Sequence, residues 1–118
     1  MFKPTLSIIT IVYNNVRDIE YTLLSVLEQR YAPIEYIVVD GNSNDGTMDV
    51  IRRYADNIDI LISEPDQGIY DAMNKGLAAA TGDYVLFLNS GDALFSPDTV
   101  ATVFAAAADA DIYYGETK

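Results

Sequence analysis

The most constraining feature of this chain is an alternation. Short apolar runs rich in β-branched residues give way, repeatedly, to stretches of helical period. Leu6–Val12 reads LSIITIV, with no polar alternation, and so predicts a strand covered on both faces. In the segment 18–29, Ile19, Leu23, Val26 and Leu27 recur at spacings of three and four, the stripe of an amphipathic helix, with Asn15 or Asp18 available to cap it. The pattern continues with a strand at Tyr36–Val39, a helix over Thr47–Tyr54, a strand at Ile58–Ile62 and a helix over Ile69–Ala80. Then come a strand at Tyr84–Leu88, a helix opening at Ser96-Pro97 and running to about Ala108, and a short strand at Ile112–Tyr114. In the second helix Met48, Ile51 and Tyr54 are predicted inward. In the third, Ile69, Ala72, Met73, Gly76 and Ala80 form the inward face, Gly76 allows close approach to a strand, and Gly82 is the C-terminal cap. Alternating strands and helices with apolar strands predict a parallel sheet with helices on both faces. The last strand is followed only by residues 115–118, so the pattern reads as the first part of a larger, truncated domain.

Composition narrows the chemistry. The 118 residues suffice for one domain. Cysteine and histidine are both absent, which removes thiolate nucleophiles, imidazole acid–base catalysis and the usual zinc sites. What remains is carboxylates, amides, hydroxyls, backbone donors and a bound hard cation. The net charge of −11 leaves no basic stripe for nucleic acid. A small phosphorylated ligand stays compatible, because a cation can bridge carboxylates to phosphate. Leu6–Tyr13 is too short for a membrane span, which needs about 20 apolar residues. No secretory signal is present, so a cytoplasmic chain is the expectation.

In a parallel sheet the C-terminal strand ends share one edge, where ligands bind. The first strand delivers Tyr13, Asn14 and Asn15 there, the second Asp40, Gly41 and Asn42, the third Ser63 to Asp66, and the fourth Asn89, Ser90, Gly91 and Asp92. Asp40 is positioned either to accept a ligand N–H or to cap its own loop. Asp45, in N-D-G, is either a turn or cap residue or a ligand contact. Asn89 and Asp92 carry oxygens suited to Mg²⁺ or Mn²⁺, though N-S-G-D is also rich in turn formers. Asn74 sits mid-helix, where asparagine is a poor helix former, one turn from Tyr70. Glu64 and Asp66 stand near the cleft. Neither G-x-G-x-x-G nor a P-loop motif occurs. A phosphoacceptor receiver domain would need a lysine at a late strand end. The bases after Arg53 are Lys75, inside a predicted helix, and Lys118, at the terminus.

Taken in order, SIITIVYNN at Ser7–Asn15, SVLEQRY at Ser25–Tyr31, IEYIVVDGNSNDGT at Ile34–Thr47 and SEPDQGIYDAMNKGLAAATGDYVLFLNSGD at Ser63–Asp92 resemble the family 2 glycosyltransferases. The similarity is to the N-terminal nucleotide-sugar-binding part of bacterial enzymes of capsule, exopolysaccharide and O-antigen assembly. It implies a Rossmann-like three-layer α/β/α domain of GT-A type with a mainly parallel sheet, residues 1–118 being its donor-binding portion. It implies donor contacts by Tyr13, Asn14, Asp40, Asp45, Asn74, Asn89 and Ser90, with Asp40 at the base, which is uracil by preference. It implies Mn²⁺ or Mg²⁺ held by Asp92, since Asn89 and Gly91 stand where acids are common. Met73 stands where the family often has arginine. The activity implied is inverting transfer from a nucleotide-diphosphate sugar, a UDP-sugar favoured, to a glycan or lipid-linked acceptor. The enzyme would be cytoplasmic or peripheral at the inner face of the membrane. Its general base belongs to the later half of the domain, so no catalytic residue is named and this fragment alone is expected to be inactive. The alternative is a non-catalytic nucleotide-binding or protein-interaction module retaining the fold. Homodimerisation is one way to cover the terminal strand.

Overall fold

The computed structural model describes residues 4–106. Four strands and four α-helices alternate: β1 (Leu6–Val12), α1 (Ile19–Leu27), β2 (Ile34–Asp40), α2 (Thr47–Arg53), β3 (Ile60–Ser63), α3 (Ile69–Ala79), β4 (Tyr84–Phe87) and α4 (Thr99–Ala106). A 3₁₀ turn at Ala55–Asn57 joins α2 to β3. The strands form one parallel sheet in the order β3-β2-β1-β4. The chain therefore winds outward from β1 through β2 to β3, then crosses back to place β4 on the other side of β1. The reversal between β1 and β4 is the topological switch point of an open α/β sheet.

The apolar strand runs are explained by burial on both faces. Ile8 and Val12 of β1 and Tyr36 and Val38 of β2 pack with Ile19, Leu23 and Val26 of α1 and Val50 and Ile51 of α2. Leu94 and, from α4, Val100 join the same cluster. The intervening residues Ile9, Ile37 and Val39 face the other way, onto Ala72 of α3. Side chains such as Ile8, Ile9, Ile37 and Leu23 are fully buried, each contributing about 2 kcal/mol. A polar pair on the sheet's larger core face is satisfied internally, Thr10 Oγ1 and Tyr36 Oη lying 2.7 Å apart. Burial pushes the Tyr36 phenol well above its ordinary range, and the Thr10 hydrogen bond only partly offsets this.

Gly76 permits the close approach of α3 to the sheet. A Cβ there would lie 2.5 Å from Ile9 Cγ2. Other expectations need correction. Ile69, predicted inward, is 50% exposed, because α3 covers its face of the sheet through Ala72 and Gly76, one turn further along. Gly82 does not cap α3, which ends at Ala80 in an extended conformation. It lies against β1, where a Cβ would meet Ser7 Oγ at 2.6 Å. Neither Asn15 nor Asp18 caps α1 through its side chain; the Asn15 carbonyl accepts the N–H groups of Asp18 and Ile19. Ile58 is buried but precedes β3. The predicted strand Ile112–Tyr114 and the end of the last helix at Ala108 lie outside the described residues. Among the described residues no helix is long and apolar enough to cross a membrane.

Candidate functional site

The polar strand ends collect at one edge, as parallel pairing requires, but they divide into two groups on either side of β1. On the β2–β3 side the loops are stitched together. Asn14 turns the chain with a φ of 47°, a left-handed conformation that asparagine tolerates. Its N–H donates to Ser43 Oγ at 2.7 Å and its Oδ1 accepts the Asn44 N–H at 2.8 Å. Asp40, the last residue of β2, is 0% exposed. Its Oδ2 accepts the Asn42 and Ser43 N–H groups, each at 3.0 Å, and the Ser63 hydroxyl at 2.9 Å. Its Oδ1 accepts the Ser43 hydroxyl at 2.6 Å. These are the bonds of a loop-capping carboxylate. Asp45 is exposed yet similarly engaged. It accepts the Thr47 hydroxyl and N–H on Oδ1 and the Val16 N–H on Oδ2. The Thr47 hydroxyl is the main reason its carboxyl is held below the ordinary carboxylate range, with the two backbone N–H bonds adding to it.

Over these loops lies an open cleft of about 510 Å³, lined by Tyr13, Gly41, Asn42, Asn44, Pro65, Asp66 and Gly68. That size suits a small organic ligand. Tyr13 is 61% exposed and offers a ring face. Gly41 lacks a side chain because the space is occupied: a Cβ would lie 2.8 Å from Asp66 Oδ2 and 3.3 Å from Tyr13 Cδ1. The Asp66 loop is held from α3. Lys75 Nζ donates to the Pro65 carbonyl at 2.8 Å and pairs with Glu64 at 3.0 Å and Asp71 at 3.6 Å. Asp71 accepts the Gln67 N–H, and Asp66 Oδ1 accepts the Gly68 N–H at 3.1 Å. Burial disfavours the Lys75 charge, but Glu64, Asp71 and Asp66 outweigh it and raise its pKa.

On the other side of β1, at the switch point, the loop after β4 is anchored by α1. The buried Thr22 Oγ1 donates to the Asp92 carbonyl at 2.7 Å and accepts the Gly91 N–H at 2.8 Å. Asn15 Nδ2 donates to Ser90 Oγ at 3.1 Å, spanning β1 and β4. The backbone of Asp92 is thus fixed, while its carboxylate makes no hydrogen bond or ion pair among the described residues. Asn89 beside it is exposed. No group of three or more acids placed to hold a metal ion occurs among the described residues. Any cation here would therefore rest on Asp92, the Asn89 amide and oxygens of its ligand. That donor set fits a hard cation which keeps water and phosphate in its shell.

Of the predicted site residues, Tyr13 lines the cleft. Asn14, Asp40 and Asp45 build the loops beneath it. Asn89, Ser90 and Asp92 share the second group, and Asn74 is exposed on α3 and does not line the cleft. Sequence reasoning passed over Asn44 and Gly68 as lining residues and Thr22 as the anchor of the β4 loop. The first two follow strands in turn-rich segments, a usable signal. Thr22 carried none.

Known proteins share the sequence pattern and the fold of this chain. Residues 7–117 match the glycosyl transferase family 2 profile. A PGL/p-HBAD biosynthesis glycosyltransferase of Mycobacterium bovis is 37% identical over 98% of this chain and 48% of its own length. A mannosyltransferase from Pyrobaculum calidifontis, solved with GDP-Man and Mn²⁺, superposes with a TM-score of 0.81 at 31% identity, over 92% of this chain and 33% of its own. The TarS protein of S. aureus, solved with UDP-GlcNAc, gives a TM-score of 0.79 at 25% identity, over 89% of this chain and 31% of its own. The chain thus spans less than half the length of each of these relatives.

Proposed function

The chain belongs to glycosyl transferase family 2, and on that premise we propose that it forms the donor-binding part of a metal-assisted glycosyltransferase acting on a nucleoside-diphosphate sugar. The observation that carries this reading is the division of the sheet edge into an open cleft beside β1 and, across it, Asp92, whose backbone is held and whose carboxylate has no partner among the described residues. The nucleoside lies in the cleft, its base against the ring of Tyr13. The diphosphate extends over β1 toward Asn89, Ser90 and Asp92. Asp40, Asp45 and Asn14 act by holding the loops that shape the cleft. Asp92, with Asn89, holds Mn²⁺ or Mg²⁺, which when bound offsets the charge developing on the departing nucleoside diphosphate. The acceptor is a glycan or lipid-linked sugar, in keeping with the M. bovis relative's part in PGL/p-HBAD biosynthesis.

Thermal unfolding in the presence of nucleoside diphosphates, with and without Mn²⁺, tests this. A ligand that binds only the folded chain raises its melting temperature. The expected result is a rise that requires the metal. No rise with any nucleoside diphosphate, in this chain or in its longest gene product, would sink the proposal.

A further inference from the structure

Resting on the placement of the nucleoside in the cleft, we propose that the cleft selects guanine, and that Asp66 is the residue that reads it. The lining is unusual in its hydrogen-bonding character. It holds one carboxylate, two asparagine amides and no Lys or Arg side chain. Asp66 Oδ1 accepts the Gly68 N–H, while Oδ2 has no hydrogen-bond partner among the described residues. The carboxylate is set by its surroundings. Its Oδ2 fills the space above Gly41, and the loop that carries it is tied to α3 through Lys75 and Asp71. Lys75, which ties this loop to α3, does not line the cleft and is engaged with Glu64, Asp71 and the Pro65 carbonyl.

A rigid carboxylate discriminates bases by the donors they present. Guanine carries N1–H beside its N2 amino group, two adjacent donors that match the two oxygens of one carboxylate. Oδ1 retains a lone pair for N1–H after accepting from Gly68, and Oδ2 takes the N2 amino group. Uracil carries a single N3–H between two carbonyl oxygens, whose lone pairs would face the carboxylate. Adenine and cytosine each set one amino group beside a ring-nitrogen acceptor, so only one favourable bond forms. The Asn42 and Asn44 side-chain amides make no hydrogen bonds among the described residues and can donate to the guanine O6. A site built around such donors rejects analogues that lack them, because its own polar group is then buried without a partner.

The test is a binding titration with GDP, IDP and UDP, each with Mn²⁺, on the wild type and on Asp66→Asn. IDP differs from GDP only by lacking the 2-amino group. The wild type should bind GDP about tenfold or more tighter than either IDP or UDP. Asp66→Asn keeps an oxygen for the Gly68 N–H, so its melting temperature should be unchanged while the GDP-to-IDP ratio collapses toward one. A wild type that binds UDP as tightly as GDP overturns the proposal and leaves the donor-binding reading standing. So does a GDP-to-IDP ratio that survives Asp66→Asn. Binding of none of the three removes both. Should the variant fold poorly, the three wild-type affinities still decide.

Discussion

Two aspartates at the same sheet edge have opposite fates. Asp40 ends β2 with no exposed surface and four hydrogen bonds to its own neighbourhood. Asp92 follows β4 on a loop whose backbone is pinned by Thr22 but whose carboxylate has no partner among the described residues. The first uses its bonding capacity to hold three segments together, and the second has its capacity unused among the described residues. Acidic residues at strand ends are therefore not one class. What separates them is whether neighbouring N–H and hydroxyl groups already saturate the oxygens.

This contrast can be broken by substitution. Asp40→Ala should lower stability by about 3 kcal/mol, since it removes the buried acceptor of four hydrogen bonds from Asn42, Ser43 and Ser63; denaturant unfolding reads this directly. Asp92→Ala should leave stability within about 0.5 kcal/mol but cost about 100-fold in metal-dependent nucleotide binding, measured by titration with Mn²⁺. If both variants lose stability equally, the distinction fails. Away from that edge, Gly76→Ala should cost about 2 kcal/mol by forcing α3 off Ile9, a shift visible in the melting temperature.

The smallest expected effect is on acidification. Burial alone would raise the Glu35 carboxyl, but hydrogen bonds from the Ser7 hydroxyl and the Thr81 N–H and hydroxyl outweigh it and hold it below its ordinary 4.5. Asp45 is depressed as well, chiefly by Thr47. A carboxyl whose folded pKa is depressed stabilises the fold above its unfolded pKa, and that contribution is lost as pH falls through the folded value. The melting temperature should be flat from neutrality to about pH 5 and decline below it. Glu35→Gln should show a shallower decline in the same scan.

Much of this was legible from residue order. The strand runs, the helix stripe of α1 and the close approach at Gly76 follow from local pattern, because burial on two faces demands uninterrupted apolar strands and contact demands a small residue. The convergence of Tyr13, Asp40 and Asp92 on one edge follows from parallel pairing alone. The half-exposed Ile69 escaped prediction, since a helical stripe says which residues could face the sheet, not where along the helix the sheet ends. Asp66 was visible as a residue near the cleft, but its contact with Gly41 joins loops from two strands and has no local signature.

The sequence by itself determined the alternating α/β architecture, the edge where the polar strand ends gather and, through ordered motifs, the glycosyltransferase family. Only the tertiary structure decided which carboxylates are spent within the fold and which remain available. That outcome depends on hydrogen-bond donors brought from distant segments, as Ser63 is to Asp40 and Thr22 to the Asp92 loop, and such partners are set by packing in three dimensions.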